Sequence, residues 1–163
     1  ILTAAEGGSL HIEDLRQHAA ELEPLSVDRF IAGALQPAHW LARANRFRRL
    51  HCEAVRHLFQ DWDVLLAPAT PCLATRIGQP WLQLDGAPLP TRAAMGMLAQ
   101  PISFAGCPVV VAPVWPALAE GLPLGVQIIA SPWRADLTLC LATALEPMLP
   151  SPLGVRPAGI HAR

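Results

Sequence analysis

Side chains that could support nucleophilic or metal chemistry are adjacent at one place in the sequence. His51, Cys52 and Glu53 follow one another, and His57 comes four residues after Glu53. A helix is predicted here, and neighbouring side chains on a helix point in different directions. His51 and Cys52 therefore do not form a nucleophile–base pair by spacing, and His51 and His57 do not share a face. A cysteine enzyme that uses Cys52 or Cys107 is the least favoured hypothesis, and no metal site is expected.

A second candidate is the segment from Gln100 to Pro108, which leads directly into an apolar run that begins at Val109. Gly106 allows a close backbone approach at the mouth of the buried strand predicted there. Ligands of α/β sheets bind in crevices at strand ends. Spacing alone nevertheless favours a packed corner without a ligand over a binding site.

The composition restricts the classes of function. All 12 basic residues are arginine, no lysine is present, and the formal net charge is −1. This charge gives no general basis for binding nucleic acid through phosphates. A mechanism that needs a lysine cannot be completed within these 163 residues. Because 52% of the residues are apolar and 15% are charged, we expect a surface that contacts a partner or further sequence. The initial Ile1 suggests a processed, truncated or excerpted chain.

No apolar stretch approaches the ~20 residues that a membrane helix needs, so no membrane contact is expected. The cysteines, Cys52, Cys72, Cys107 and Cys140, are widely spaced and form no Cys-x-x-Cys motif. This spacing favours reduced thiols in a cytoplasmic protein over a zinc site or a redox pair.

Helices and short strands that could position such sites alternate along the chain. The first helix is expected to end near residues 1–5, before Gly7-Gly8. Ser26 is the predicted N-cap of a helix that runs through Leu35, and a longer helix runs from Pro37 to about Asp61. The arginines of this long helix favour a solvated face over an anion site.

Three short apolar runs predict strands at 64–67, 109–114 and 124–130. The first is typical of a strand covered on both faces. Asp85-Gly86 predicts a hairpin between 81–84 and 87–89. Thr91 is expected to cap a helix that ends before residue 101, and Ser131-Pro132 to open a final helix. A turn is expected at 116–123. This alternation predicts an α/β fold.

Three of these segments together resemble the amidase signature family. Asp63-Val-Leu-Leu-Ala-Pro-Ala-Thr-Pro71 resembles the family's D-x-L-L-x-P-T-x-P strand, and Pro101-Ile-Ser-Phe-Ala-Gly-Cys-Pro108 resembles its P-x-N-x-x-G-x-P turn. Gly121-Leu-Pro-Leu-Gly-Val-Gln-Ile-Ile-Ala130 is similar to its G-L-P-x-G-x-Q-I-I-G strand. Their order and spacing fit, and Ala4-Ala5-Glu6 resembles the upstream A-E-A-S segment.

The resemblance implies the C-terminal part of an amidase signature fold, with a mixed sheet covered by helices. It spans residues 1–147, and residues 148–163 are expected to form a tail that contains proline and glycine. The helix around Phe47-Arg-Arg49 and the run from Ala67 to Pro80 look most similar to the carboxybiuret hydrolase branch, whose members resemble the A-type subunit of glutamyl-tRNA amidotransferase.

The implied reaction is hydrolysis of the C–N bond of a small linear amide or urea-type compound, without a cofactor or metal. In the family a serine nucleophile is activated by a cis-serine, which a lysine serves as base. These residues lie upstream of the matched region. No catalytic residue is therefore assigned here, and the chain is expected to be inactive alone.

The resemblance assigns substrate contacts to Arg29, Ser103 and Gly106. Arg29 matches, within one position, an arginine that binds the substrate carboxylate in the amidotransferase branch, although the same helix could display it to solvent. Ser103 replaces the usual asparagine of the turn. Gly96 falls where the amidotransferase branch has an aspartate that holds the substrate amino group, which argues against glutamine and for carboxybiuret or a related urea compound.

Two alternatives stay open from the sequence. The chain could be a noncatalytic interaction module derived from an amidase, or it could belong to the glutaminase branch that includes the amidotransferase. The expected partners are the small amide substrate, the missing N-terminal part, and a second copy or a small accessory protein.

Overall fold

The computed structural model describes residues 1–115 and 122–149 of the chain. Most of the turn predicted at 116–123, Gly121 of the third motif, and residues 150–163 of the predicted tail lie outside the described residues. The chain divides into two compact units, Ile1–Glu53 and Ala54–Arg163.

The first unit is helical. Its elements are α1 (Leu2–Leu10), α2 (Ile12–Gln17), a 3-10 turn (Ala19–Glu21), α3 (Pro24–Leu35) and the first part of α4 (Ala38–Leu58). The long helix predicted from Pro37 is confirmed as α4. None of its residues is buried, and Trp40 and Phe47 of its apolar stripe are 47% and 62% exposed.

Glycines bring α1 and α3 into direct backbone contact. Gly8 and Gly33 are buried, and a Cβ added to Gly8 would lie 2.5 Å from the amide nitrogen of Ala34. The expected end of α1 near Ala5 is therefore wrong. Glycine costs about 1 kcal/mol relative to alanine within a helix, but here it permits a close helix crossing that larger residues would block.

The N-cap of α3 is Glu23, and the predicted cap at Ser26 is wrong. The Glu23 carboxylate accepts hydrogen bonds from the backbone amide of Leu25 at 3.1 Å and from the Ser26 hydroxyl at 2.7 Å. Pro24 occupies the first helical turn, where its missing N–H has no cost. Ser26 thus supports the cap from inside the helix.

A three-stranded antiparallel sheet forms the centre of the second unit. Its strands β1 (Val64–Pro68), β4 (Val109–Val114) and β5 (Leu124–Ala130) lie in the order β1-β5-β4. The expected combination of helices and sheet is confirmed. The strand pairings within the described residues are all antiparallel, so the parallel pairs of a mixed sheet are not seen in this part of it. The expectation that β1 is covered on both faces is wrong, because Leu66 is 59% exposed.

The buried core of this unit lies on the central strand. Ile128, Ile129 and Ala130 of β5 are at most 1% exposed. Helix α7 (Ala135–Leu145) packs against β4 and β5 and buries Thr138. The predicted helix start at Ser131-Pro132 is wrong, since the intervening Trp133 has a left-handed backbone (φ 70°) that interrupts a helix.

The hairpin predicted around Asp85-Gly86 is confirmed. Strands β2 (Trp81–Leu84) and β3 (Ala87–Pro90) pair antiparallel. Asp85 and Gly86 have φ values of 50° and 78°, as a two-residue turn of type I′ requires.

Candidate substrate-binding site

The predicted contact residues of the second unit, Ser103 and Gly106, lie at the end of a short helix, α6 (Gln100–Ala105). This helix follows α5 (Thr91–Met95) and a turn at 96–99. The sequence predicted one helix after Thr91 and then a turn, so α6 was missed. The predicted capping role of Thr91 is also wrong, because its hydroxyl makes no hydrogen bond within the described residues and Pro90 is the N-cap.

A ladder of backbone hydrogen bonds connects the turn to the end of α6. The Gly96 carbonyl accepts from the Gln100 amide at 3.0 Å, and the Ala99 carbonyl accepts from the Ser103 amide at 3.0 Å. The Ser103 carbonyl in turn accepts from the Gly106 amide at 3.1 Å. The turn at 96–99 is thus connected through α6 to Ser103 and Gly106.

Gly106 ends α6 in the left-handed conformation, with φ 74° and ψ 27°. A Cβ at this position would meet no atom within 4 Å, so the expected close backbone approach is wrong. The demand for glycine comes from the backbone angle alone. Two residues later, the Pro108 carbonyl accepts a hydrogen bond from the Ala130 amide at 3.2 Å. This bond attaches the turn after α6 to the end of β5.

The structure brings two of the three predicted contact residues together. Ser103 and Gly106 are both exposed at the end of α6. Arg29 lies in the first unit, on the exposed side of α3. Its guanidinium makes no hydrogen bond or ion pair with another residue in the described part of the chain.

Gly96 has an ordinary backbone conformation, with φ −91° and ψ −6°. A Cβ here would lie 3.3 Å from Nε2 of Gln100, at the flexible end of a side chain. The backbone at this position does not itself demand glycine. The absence of a carboxylate at 96 is therefore a feature of the sequence and not a requirement of the local fold.

Sequence reasoning missed Gln127, a buried amide beside this segment. It lies on β5 between Ala67 of β1 and Val111 of β4 and is 3% exposed. Its Nε2 donates to the Pro68 carbonyl at 2.9 Å and to the Leu98 carbonyl at 3.4 Å. The available signal was a polar residue in the middle of an otherwise apolar strand.

Two further observations concern metal and charge. Within residues 1–115 and 122–149, no group of three or more His, Cys, Asp or Glu side chains could hold a metal ion. At the start of α7, the hydrogen bond from Arg134 holds the pKa of Asp136 below its usual value, and the same bond raises the pKa of Arg134.

His51 and Cys52 lie on α4, where the His51 ring stacks on Phe47.

A sequence profile described as amidase matches residues 16–139, which is most of the chain. The chain belongs to the amidase signature family. The matched range contains Arg29, Ser103 and Gly106, whose roles as substrate contacts remain predictions.

The relatives of this amidase-family chain include two branches. It is 54% identical over 146 residues to AtzE, a 1-carboxybiuret hydrolase subunit of Pseudomonas sp. strain ADP, covering 90% of this chain and 32% of that protein. It is 35% identical over 113 residues to the A-type subunit of glutamyl-tRNA(Gln) amidotransferase from Deinococcus deserti, covering 66% of this chain and 22% of that protein. The chain thus spans about a third or less of the length of these relatives.

Solved structures agree with this placement. A structure described as a vestigial protein complex that reveals the origins of an s-triazine catabolic enzyme is 52% identical and superposes with a TM-score of 0.87. The match covers 94% of this chain and 34% of that one. A crystal structure of an amidase, 24% identical, has a TM-score of 0.83 over 90% of this chain and 33% of that one, which supports the fold alone. No helix in the described residues is long and apolar enough to cross a membrane.

Proposed function

We propose that this chain is the C-terminal part of an amidase that hydrolyses the C–N bond of a small linear amide or urea-type substrate such as carboxybiuret. The observation that carries this proposal is the 54% identity to the carboxybiuret hydrolase subunit over 90% of the chain. The identity to the amidotransferase is lower and covers less of the chain. The glutaminase branch is therefore not favoured, nor is a noncatalytic module.

In this proposal the reacting residues come from the rest of the amidase domain. The nucleophilic serine, the cis-serine and the lysine base belong to a part of the family sequence upstream of the matched motifs. The absence of lysine from all 163 residues supports this division. The chain described above supplies part of the scaffold. Its segment around Ser103 and Gly106 supplies one wall of the substrate pocket, the candidate pocket wall.

The predicted contact residues of each unit have a chemistry that suits a carboxylated substrate. Arg29 offers a planar guanidinium that binds a carboxylate through two parallel hydrogen bonds. Ser103 offers a hydroxyl, and Gly106 offers an exposed backbone at the end of α6. Gly96 offers no carboxylate to hold an α-amino group, which supports a urea-type substrate over glutamine.

The proposed partners follow from the length of the relatives. The remaining part of the amidase domain is the first of them, because the chain corresponds to 32% of the carboxybiuret hydrolase subunit. The 52% identical structure is described as a protein complex, which supports a further partner, either a second copy or a small accessory protein. We propose a cytoplasmic location, which the widely spaced cysteines support.

A substrate comparison tests this function. The amidase that contains this chain is incubated with carboxybiuret and, separately, with glutamine, and the released ammonia is measured. We expect a higher kcat/KM for carboxybiuret. A higher kcat/KM for glutamine would instead assign the protein to the glutaminase branch.

A further inference from the structure

Gln127 is a buried polar side chain whose hydrogen bonds join separate parts of the second unit. Burying an amide without partners is costly, so a buried amide is retained where its hydrogen bonds are made. The two protons on Nε2 are directed to the carbonyls of Pro68 and Leu98, which are 30 residues apart in sequence. One side chain on β5 thus connects the end of β1 to the turn that precedes α6.

The Pro68 side of this connection is fixed by the sheet. Pro68 lies opposite Val126 in the pairing of β1 with β5. The pairing continues one residue further, where the Ala69 amide donates to the Gly125 carbonyl at 2.7 Å. The bond to Pro68 therefore holds the Gln127 amide in a defined orientation on the sheet.

The Leu98 side of the connection belongs to the candidate pocket wall. Leu98 precedes Ala99, whose carbonyl accepts the hydrogen bond from Ser103 at the start of the ladder that ends at Gly106. A nearby sulfur contact, from Cys72 Sγ to Met95 Sδ at 3.7 Å, holds the preceding helix α5 only weakly. The bond from Gln127 to Leu98 is long at 3.4 Å, but an amide N–H is a stronger donor than a thiol, and it ties this segment to the sheet.

We propose that Gln127 is a positioning residue, which holds the turn at 96–99 against β5 and so sets the placement of Ser103 and Gly106 toward the substrate. This inference rests on the proposed function, since Ser103 and Gly106 contact substrate only in that account. Gln127 itself lies within the sheet and touches no reacting atom.

The test uses the amidase that contains this chain and compares three variants. Gln127→Met keeps the length of the side chain and removes both donors. Gln127→Asn keeps the amide and shortens its reach, which gives a second variant if the first fails to fold. Thr138→Val is the matched control, because it removes another buried donor (1% exposed) whose hydroxyl bonds to the Ala135 carbonyl at 2.7 Å within α7.

The first readout is amide hydrogen exchange, which requires no activity. We expect exchange at the amides of Gln100, Ser103 and Gly106 to rise by about tenfold or more in both Gln127 variants, because a lost buried hydrogen bond loosens this segment. Exchange along β5 should stay unchanged, and the control should leave all of these amides unchanged. No rise at 100–106, or an equal rise along β5, would overturn the proposal.

The second readout separates positioning from general stability. We expect KM to rise by about tenfold in the Gln127 variants while kcat changes less than about threefold, because a displaced wall weakens ground-state and transition-state binding equally. An unchanged KM beside increased exchange would overturn the link to substrate. If the unmodified enzyme hydrolyses no amide, the proposed function fails, and the exchange measurement still decides whether Gln127 positions the turn.

Discussion

Gly33 of α3 lies directly against the backbone carbonyl of Ala4 in α1, with no space between them for a side-chain carbon. Both ends of this contact are backbone, so neither can move by a change of rotamer. The crossing of α1 and α3 therefore depends on glycine at this position.

Gly33→Ala should destabilise the first unit, because the added methyl overlaps a carbonyl and forces the helices apart. Overpacking of this kind costs about 1–3 kcal/mol, and we expect the upper part of that range. Chemical denaturation followed by far-UV circular dichroism measures the loss. Ala32→Ser, at an exposed position of the same helix, is the control and should change stability by less than about 0.5 kcal/mol. Equal effects of the two substitutions would contradict the close crossing.

Gly106→Ala should destabilise the protein through its backbone angle alone. A left-handed conformation costs a residue with a Cβ about 1–2 kcal/mol, and no neighbouring atom adds a steric term. Gly106→Asn should cost less, because asparagine tolerates this conformation better. The order Gly, Asn, Ala in the denaturation midpoint checks the prediction, whereas equal midpoints for Asn and Ala would contradict it.

Arg29→Gln should weaken binding of a carboxylated substrate if the proposed contact exists. Loss of a charge-assisted bidentate bond predicts a rise in KM of about tenfold or more, and Arg29→Lys should recover part of it. Arg16→Gln is the control, because Arg16 is an exposed arginine paired with Glu13 at 2.7 Å and surface pairs contribute little. Steady-state kinetics of all three variants test whether Arg29 binds the substrate carboxylate. A similar KM for the Arg29→Gln and Arg16→Gln variants would place Arg29 on a solvated face.

The Arg134–Asp136 pair should make the start of α7 sensitive to acid. Arg134 Nε and Nη2 each donate to a carboxylate oxygen of Asp136 at 3.0 Å, and this keeps the pKa of Asp136 below its usual value. Its stabilising effect is present above the ordinary carboxyl pKa, about 3.9, and is lost as the pH falls through the lower folded value. A carboxyl-carbon NMR titration should give a midpoint below the ordinary value, and Arg134→Gln should raise it. An unchanged midpoint in that variant would exclude the pair as the cause.

Local chemistry made part of the fold predictable. Asp85-Gly86 determined the hairpin because few residue pairs adopt positive φ at two successive positions. The β-branched runs determined β4 and β5. Where tertiary contacts outweigh local preference, prediction failed. Gly7-Gly8 suggested a helix end, although packing against α3 stabilises helix there, and Glu23 replaced the better intrinsic cap Ser26.

The candidate site was predictable only in its position. The resemblance located Ser103 and Gly106. The structure places Ser103 on α6 and Gly106 at its C-cap, whereas the sequence predicted that the helix ends before Pro101. Proline is tolerated in the first turn of a helix, which is where Pro101 lies in α6. Gln127 stood out in the sequence only as a polar residue in an apolar strand, and its two acceptors could be identified only from coordinates, because they are backbone carbonyls.

The most direct test of the central claim compares the 163-residue chain alone with the same chain joined to the rest of its amidase domain. The account assigns the nucleophile and the lysine base to that other part, since no lysine occurs in this sequence. Release of ammonia from carboxybiuret is measured for both proteins at equal concentration. We predict no turnover above background from the chain alone and clear turnover from the joined protein. Turnover by the isolated chain would contradict the account.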